Sequence, residues 1–350
     1  MCIRDSYTYN SSGGSISAGR PTSVTDTNGP INYLKSATYA PQGALQTYTN
    51  GFVSGVFAGI SNVDTYNSRL QPVFLSATNP TATILSLCYD FHSGVSISQP
   101  PCSFPASTTG DNGNVFQIVN NRDSNRTQIF AYDNLNRIQQ ANSNGPTWGE
   151  TFTIDAWGNL TNRGSVAGKT YTEQLNASAL NNNQLTGFGY DAAGNMTSNS
   201  GANYVYNQEG QLTKFYITTQ DLYVYDGDGR RVKKNTGSNT LYWYDTGGNV
   251  LDETANANLT SEYIYFGGKR IARRDADNSV HYYFSDHLGT ADVITSGTGT
   301  IEKESDYYPY GGEMPISGSD TNHYKFTGKE RDTETGLDYF DRWPTQAGFA

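Results

Sequence analysis

Cationic charge, sulfur and long apolar runs are all scarce in this chain of 350 residues, and each shortage closes off a class of function. Lys and Arg number 23 against 33 Asp and Glu, a formal charge of −10. Holding a phosphate backbone needs a basic surface, so a nucleic-acid partner is not expected. No apolar stretch is long enough to cross a bilayer as a helix. No charged n-region followed by an apolar h-region opens the chain. Hydrophobic residues make up 35%, too few for one thick core at this length but suited to sheets wetted on at least one face. Aromatic residues nevertheless reach 13%, which argues against disorder.

What the chain has in quantity is a short repeat. Tyr-Asp, two or three variable residues, Gly, Asn or Arg, and an aliphatic recur as a seven-residue unit. Copies run from Tyr132-Asp133 to Ile138, as Ile154-Asp155-Ala156-Trp157-Gly158-Asn159-Leu160, and as Tyr190-Asp191-Ala192-Ala193-Gly194-Asn195-Met196. Others begin at Tyr206 (with Gly210), at Tyr225 (Asp226, Gly229, Arg230) and at Tyr244 (Asp245, Gly248, Asn249), these last three spaced by 19 residues. Repetition at a short period sets architecture before any single residue does, and favours a surface over one catalytic pocket.

The unit has the chemistry of a three-residue β-hairpin loop. Asp191 caps the turn by accepting backbone N–H groups, Ala192 and Ala193 suit a type I turn, and Gly194 takes the left-handed position. In that register Tyr190 and Met196 face each other across two strands, a pairing worth roughly 0.2–1 kcal/mol. A hairpin at Phe266-Gly267-Gly268-Lys269 departs from the unit and suits a two-residue connection. Tyr204 and Tyr206, Tyr223 and Tyr225, Tyr242 and Tyr244, and Tyr263 and Tyr265 sit two apart, so each pair shares a strand face. Aligned hairpins place them in an aromatic stripe. Sheet packing is the expected use, and an exposed platform for sugar rings is the alternative. The basic runs at residues 230–234 and 269–274 read as solvated edge strands guarded by charge, with a docking patch for an anionic partner as the alternative.

The repeats, taken with Tyr282-Tyr283-Phe284-Ser285-Asp286-His287-Leu288-Gly289-Thr290, resemble the RHS/YD-repeat family. Asp306-Tyr307-Tyr308-Pro309-Tyr310-Gly311 resembles a second family signature. The run from Tyr324 through Phe326, Gly328 and Asp332 to Gly336, Leu337 and Tyr339 resembles a third, the RHS repeat-associated core. The resemblance covers roughly residues 30–340, because Tyr66-Asn67-Ser68-Arg69-Leu70-Gln71-Pro72 also has the look of a family element. It implies an all-β fold in which repeated antiparallel hairpins wind into a spiral sheet, part of a hollow shell. In bacterial toxins of this family the shell holds a variable C-terminal toxin; in animals the teneurins use a similar shell in adhesion. After Phe340 the chain departs from the family pattern, and no catalytic residue of the family's terminal segment is carried over.

The expected organisation is residues 1–6 as a sequencing-adapter artefact, since they match the translation of a transposase-type adapter end. Residues 7–130 form a degenerate β region of lower order, with long loops at 11–19, 28–32 and 96–114; within it Tyr39-Ala40-Pro41-Gln42-Gly43-Ala44-Leu45 still echoes the repeat. Residues 131–280 form the regular array, 281–340 the core segment and 341–350 an aberrant tail. Helix should be nearly absent. The motif aspartates Asp133, Asp155, Asp191, Asp226 and Asp245 are expected in turns, although Asp226-Gly227-Asp228-Gly229 faintly resembles a calcium loop without its remaining ligands. Of four histidines (His92, His281, His287, His323), His287 stands beside Asp286 like half of a catalytic dyad, but a structural hydrogen bond is the plainer role. Cys88 and Cys102 leave open a disulfide, free thiols, or with His92 a metal site. The reading is a non-enzymatic, cofactor-free shell fragment of a secreted or cell-surface bacterial protein. Its partners are a C-terminal effector and an immunity protein. The alternative is an adhesion module that binds glycans through the tyrosine stripe.

Overall fold

The computed structural model describes residues 5–9, 19–92, 102, 110–170, 174–180 and 182–340, together with the backbone of 343–346. The all-β expectation holds, with thirty strands and two single-turn 3-10 helices among the described residues. Thirteen strands, from Asp5–Tyr9 to Leu175–Asn176, make a first sheet; fourteen, from Gly189–Tyr190 to Glu313–Gly318, make a second. In both, every strand pairs only with its neighbours in sequence, so each sheet is a long meander of hairpins. A three-stranded sheet of Glu330–Arg331, Leu337–Phe340 and Trp343–Gln346 follows.

The turns explain this order. Asp191 N donates to Asn195 O (2.9 Å) and Gly194 N to Asp191 O (3.1 Å). The Asp191 Oδ1 accepts from the amides of Ala193 and Asn195, and Oδ2 accepts from the Asn195 side chain. Gly194 sits at φ 89°, where a side chain is strained. Tyr190 pairs with Met196, and the same register gives Tyr132–Ile138, Ile154–Leu160, Tyr206–Leu212, Tyr225–Arg231 and Tyr244–Val250. A register shift follows each turn, the one-residue bulge that adds twist to a ribbon. Tyr39–Leu45 and Tyr66–Pro72 close the same way, with Leu70 in the left-handed position that glycine fills elsewhere. Phe266 pairs directly with Lys269 around the expected two-residue turn.

Residues 7–130 correct the expectation of lower order. Their strands run six to eight residues where the sheet is continuous from Pro21–Asp26 to Thr83–Asp90. They also supply most of the largest apolar cluster, including Val24, Leu34, Ile60, Ile84 and Tyr89. Alternation was faint here because Thr83–Asp90 is buried on both faces, and a strand so covered has no polar side to reveal its period. Residues 27–31 form a short turn between Pro21–Asp26 and Asn32–Tyr39 instead of a long loop. Residues 11–18 and most of 96–114 lie outside the described residues. The sheet breaks fall after Asn176 and Gly318; the hydrogen-bonded ladder runs on across 130–131 and 280–281. Asp5 and Ser6 pair with Asp26 and Thr25, and residues 1–4 lie outside the described residues. Residues 343–346 add a backbone strand beside Leu337–Phe340, and the rest of 341–350 is likewise outside.

The two long sheets lie against each other. Tyr7 donates to Tyr265 O, Arg274 pairs with Asp26, Asn79 reaches Gly299 O and Arg126 grips Asp306. Further along, Trp148 packs edge-on against Tyr308 with ring centres 5.1 Å apart. Partner positions advance broadly together along both sheets, as they must when one strip of hairpins is wound alongside itself. The apolar centre of this contact joins Leu34, Ile60 and Tyr89 to Ile264, Tyr282 and Val293.

Candidate functional site

Beyond Gly318 the chain leaves the second sheet and doubles back across it. Asp320 meets Arg273, Tyr324 meets Tyr263, Glu330 meets Tyr242, Asp332 meets Arg231 and Glu334 meets Tyr223. Residues 319–340 therefore form a strap that crosses consecutive strands in reverse order. The face it covers is the tyrosine stripe.

Arg231 is the anchor. It is 1% exposed, donates to Asp332 (2.6 and 2.9 Å) and Glu330 (2.7 Å), and stacks 4.3 Å from the Tyr339 ring, with Tyr223 and Tyr242 also beneath it. Its backbone N–H donates to the Tyr339 hydroxyl. Lys234 adds bonds of 2.9 and 3.0 Å to Glu330 and Asp332, and Tyr242 donates to Glu330 at 2.7 Å. Burial opposes ionisation of Glu330, but Arg231 and Lys234 overcome it and hold the carboxyl far below its usual range. A second anchor places Arg270 3.5 Å over the Tyr324 ring, with Tyr324 and His323 both on Glu253 (2.6 and 2.9 Å). A third joins Arg273 to Asp320 and Asp275. Burial pulls the His323 imidazole down, and the Glu253 carboxylate more than restores it, so its pKa ends above the usual value.

This arrangement overturns one expectation. The strands Arg231–Asn235 and Lys269–Asp275 are interior strands, and Arg231, Arg273 and Arg274 are buried. Successive residues of a strand point to opposite faces, so Arg273 meets Asp320 of the strap while Arg274 meets Asp26 of the other sheet. The sugar platform also loses its surface: Tyr204, Tyr223, Tyr242 and Tyr263 are 5%, 3%, 5% and 3% exposed. Packing is their role.

The motif residues shape the turns. Asp133, Asp155, Asp226 and Asp245 accept amide bonds within their turns as Asp191 does, and Gly158, Gly210, Gly229 and Gly248 take positive φ. Those bonds, with the Asn and Arg side chains, hold Asp133, Asp155 and Asp191 below the usual carboxylate pKa. Arg230 and Asn249 donate the closing amides.

The three core signatures, scattered in sequence, converge. Asp286 caps its turn through the Leu288 and Thr290 amides, with Gly289 at positive φ. Thr290 then accepts from the Thr327 amide, and Gly328 comes close to Gly289 O. Pro309 lies in the turn closed by Gly311, whose missing Cβ makes room for Phe326 at 3.0 Å. Asp306 holds Arg126, Tyr307 is buried near Phe326, and Leu337 packs with Tyr204 and Tyr223. Gly336 turns the strap back onto Asp332. His287 packs against Tyr89 at 4.6 Å, and no Ser or Cys side chain bonds it among the described residues. Cys88 and Cys102 form a disulfide, Cα atoms 5.7 Å apart, which decides between the alternatives left open.

Glu253, Arg270, Asp320 and Glu330 were not foreseen as a group. One signal was available. In six copies of the repeat the closing residue is Ile138, Leu160, Met196, Leu212, Arg231 or Val250, and the lone cation marks the inward position that the strap must neutralise.

A family model described as Teneurin YD-shell matches residues 45–343. No curated protein matches. Solved structures agree in fold: TcdB2-TccC3-Cdc42 (TM-score 0.74, 19% identity), TcdB2-TccC3 (0.73, 19%) and the Photorhabdus luminescens Tc holotoxin pore with TccC3-D651A (0.72, 19%). Each covers 99% of this chain, which spans only 19%, 19% and 18% of those chains.

Proposed function

Since this chain belongs to the Teneurin YD-shell family, we propose that it is a wall segment of an exported bacterial RHS shell that encloses or delivers a C-terminal effector. The wall acts by confinement and not by catalysis. The observation that carries this reading is the strap. Three anchors, two of them buried arginine–carboxylate pairs, fix residues 319–340 against one face of the sheet, so whatever follows in the chain leaves from a set place. Two buried arginines, Arg231 and Arg273, are a large commitment for a segment without a mechanical task, because a buried charge is tolerated only beside its counter-charge. The solved relatives include toxin complexes, which supports a secreted or cell-surface setting and an effector partner, with an immunity protein to protect the producer. Glycan recognition keeps no supporting observation once the stripe is covered.

The test is to sequence through the downstream end of the gene and express the continuous protein. A following domain that resists protease until the shell is unfolded supports enclosure. Digestion at the rate of the isolated domain sinks it.

A further inference from the structure

Between the two long sheets, beside the Asp286–His287 turn, lies a cavity of about 170 Å³ that the shell role does not use. Leu85, Val115, Ile118, Phe130 and Ile138 line one part of it; Asp286, Asp292, Glu304, Asp306, Arg122 and Arg126 line another. Two guanidiniums therefore face four carboxylates. Both arginines are committed: Arg126 grips Asp306 through two bonds and shares Glu304 with Arg122. No ion pair reaches Asp286 or Asp292 among the described residues. Burial raises the pKa of both; the adjacent His287 and the turn amides pull Asp286 the other way, and for Asp292 the neighbouring Asp286 and Asp306 raise it further while Arg126 lowers it. The His287 Nδ1 is also buried without a hydrogen-bond partner. Asp286 has only turn amides for partners, and carboxylates without a counter-ion at a partly apolar cavity are costly unless a cation joins them.

We propose that this cavity binds a primary alkylammonium ion, its charge against Asp292 and Asp286 and its hydrocarbon stem against the Ile118, Phe130 and Ile138 wall. A hard divalent cation fits poorly, since it demands six or more oxygen ligands and half the lining is hydrocarbon. A neutral ligand would leave both carboxylates unpaired. The ammonium could be that of a free amine or of a lysine side chain; the recognition chemistry is the same.

The experiment is calorimetric titration of the full chain with n-butylammonium, with n-butanol as its neutral isostere and calcium as the competing cation. Butylammonium should bind at least about tenfold more tightly than butanol, and Asp292→Asn should remove most of that preference. Nα-acetyl-lysine methylamide separates the two sources: binding equal to butylammonium assigns the site to a lysine side chain, exclusion assigns it to free amines. Equal binding of butanol and butylammonium, tighter binding of calcium, or an unchanged preference in a folded Asp292→Asn variant would each overturn the proposal. Should that variant fail to fold, the selectivity of the unaltered protein decides alone.

Discussion

Two contacts hold this molecule's layers together, and their centres are built from different materials, although ion pairs such as Arg274–Asp26 also flank the apolar one. Where the first sheet meets the second, Leu34, Ile60 and Ile264 bury hydrocarbon against hydrocarbon. Where the strap meets the second sheet, Arg231 and Arg273 are buried, and Lys234 and Arg270 half-buried, against carboxylates and phenol rings. Apolar burial is non-directional and tolerates small shifts, whereas each buried charge requires its partner in place. The apolar centre of the sheet contact can therefore be a general adhesive, while the strap is specified residue by residue.

The sharpest way to break this comparison is to unpair one anchor. Arg231→Met leaves Glu330 and Asp332 buried beside Lys234 alone and should cost about 3–5 kcal/mol, read in urea denaturation and as lost hydrogen-exchange protection in residues 319–340. Adding Glu330→Gln to that variant should recover part of the loss, because one carboxylate charge goes with the guanidinium while Asp332 still holds Lys234. No recovery would mean that the arginine acts by its bulk. Leu34→Ala, at the centre of the apolar contact, should cost about 3 kcal/mol, with no rescue from any charge change. If its cost tracks salt concentration as the Arg231 variant's does, the contrast between the two contacts is false.

What the sequence disclosed divides along the same line. Every hairpin unit, from Tyr39–Leu45 to Tyr244–Val250, was readable because the interactions that set a turn lie within seven residues. The strap was not: Arg231 and Asp332 are 101 residues apart, and strand periodicity tells which residues share a face but not what covers it. That gap turned buried arginines into supposed solvated edges. The double-covered strand Thr83–Asp90 failed for a related reason, having no wet side. The disulfide was undecided because spacing alone does not bring Cys88 to Cys102. The local rule can be sharpened with two glycines. Gly194→Ala places a Cβ at φ 89° and should cost about 1 kcal/mol. Gly227→Ala, in open space without a positive φ, should be neutral or slightly stabilising in the same melt.

The smallest expected effect separates the two contacts by pH. His281 faces Asp275, Glu302, Asp320, Arg273 and Ser279 where the strap begins. Its hydrogen bond to Asp275 raises the imidazole pKa, burial lowers it, and Glu302 raises it again, leaving it above the usual value. A group with a raised folded pKa stabilises fully below its unfolded pKa, and that contribution is lost as pH rises through the folded one. Asp275 has the opposite sign. Burial works against it, but His281 and Arg273 hold it at about 2, so its contribution is present above the ordinary value of 3.8 and fails only as pH falls towards 2. The anchor that joins Arg273 to Asp320 and Asp275 should accordingly loosen over the interval that runs from about pH 6.5 upward through the raised His281 pKa, while the apolar contact does not. Hydrogen exchange, corrected for its intrinsic pH dependence, should show the amides near Asn322 losing protection across that interval and those near Leu34 unchanged. His281→Gln should flatten the strap's profile; an identical profile in the variant would place the pH response elsewhere and leave the imidazole a spectator.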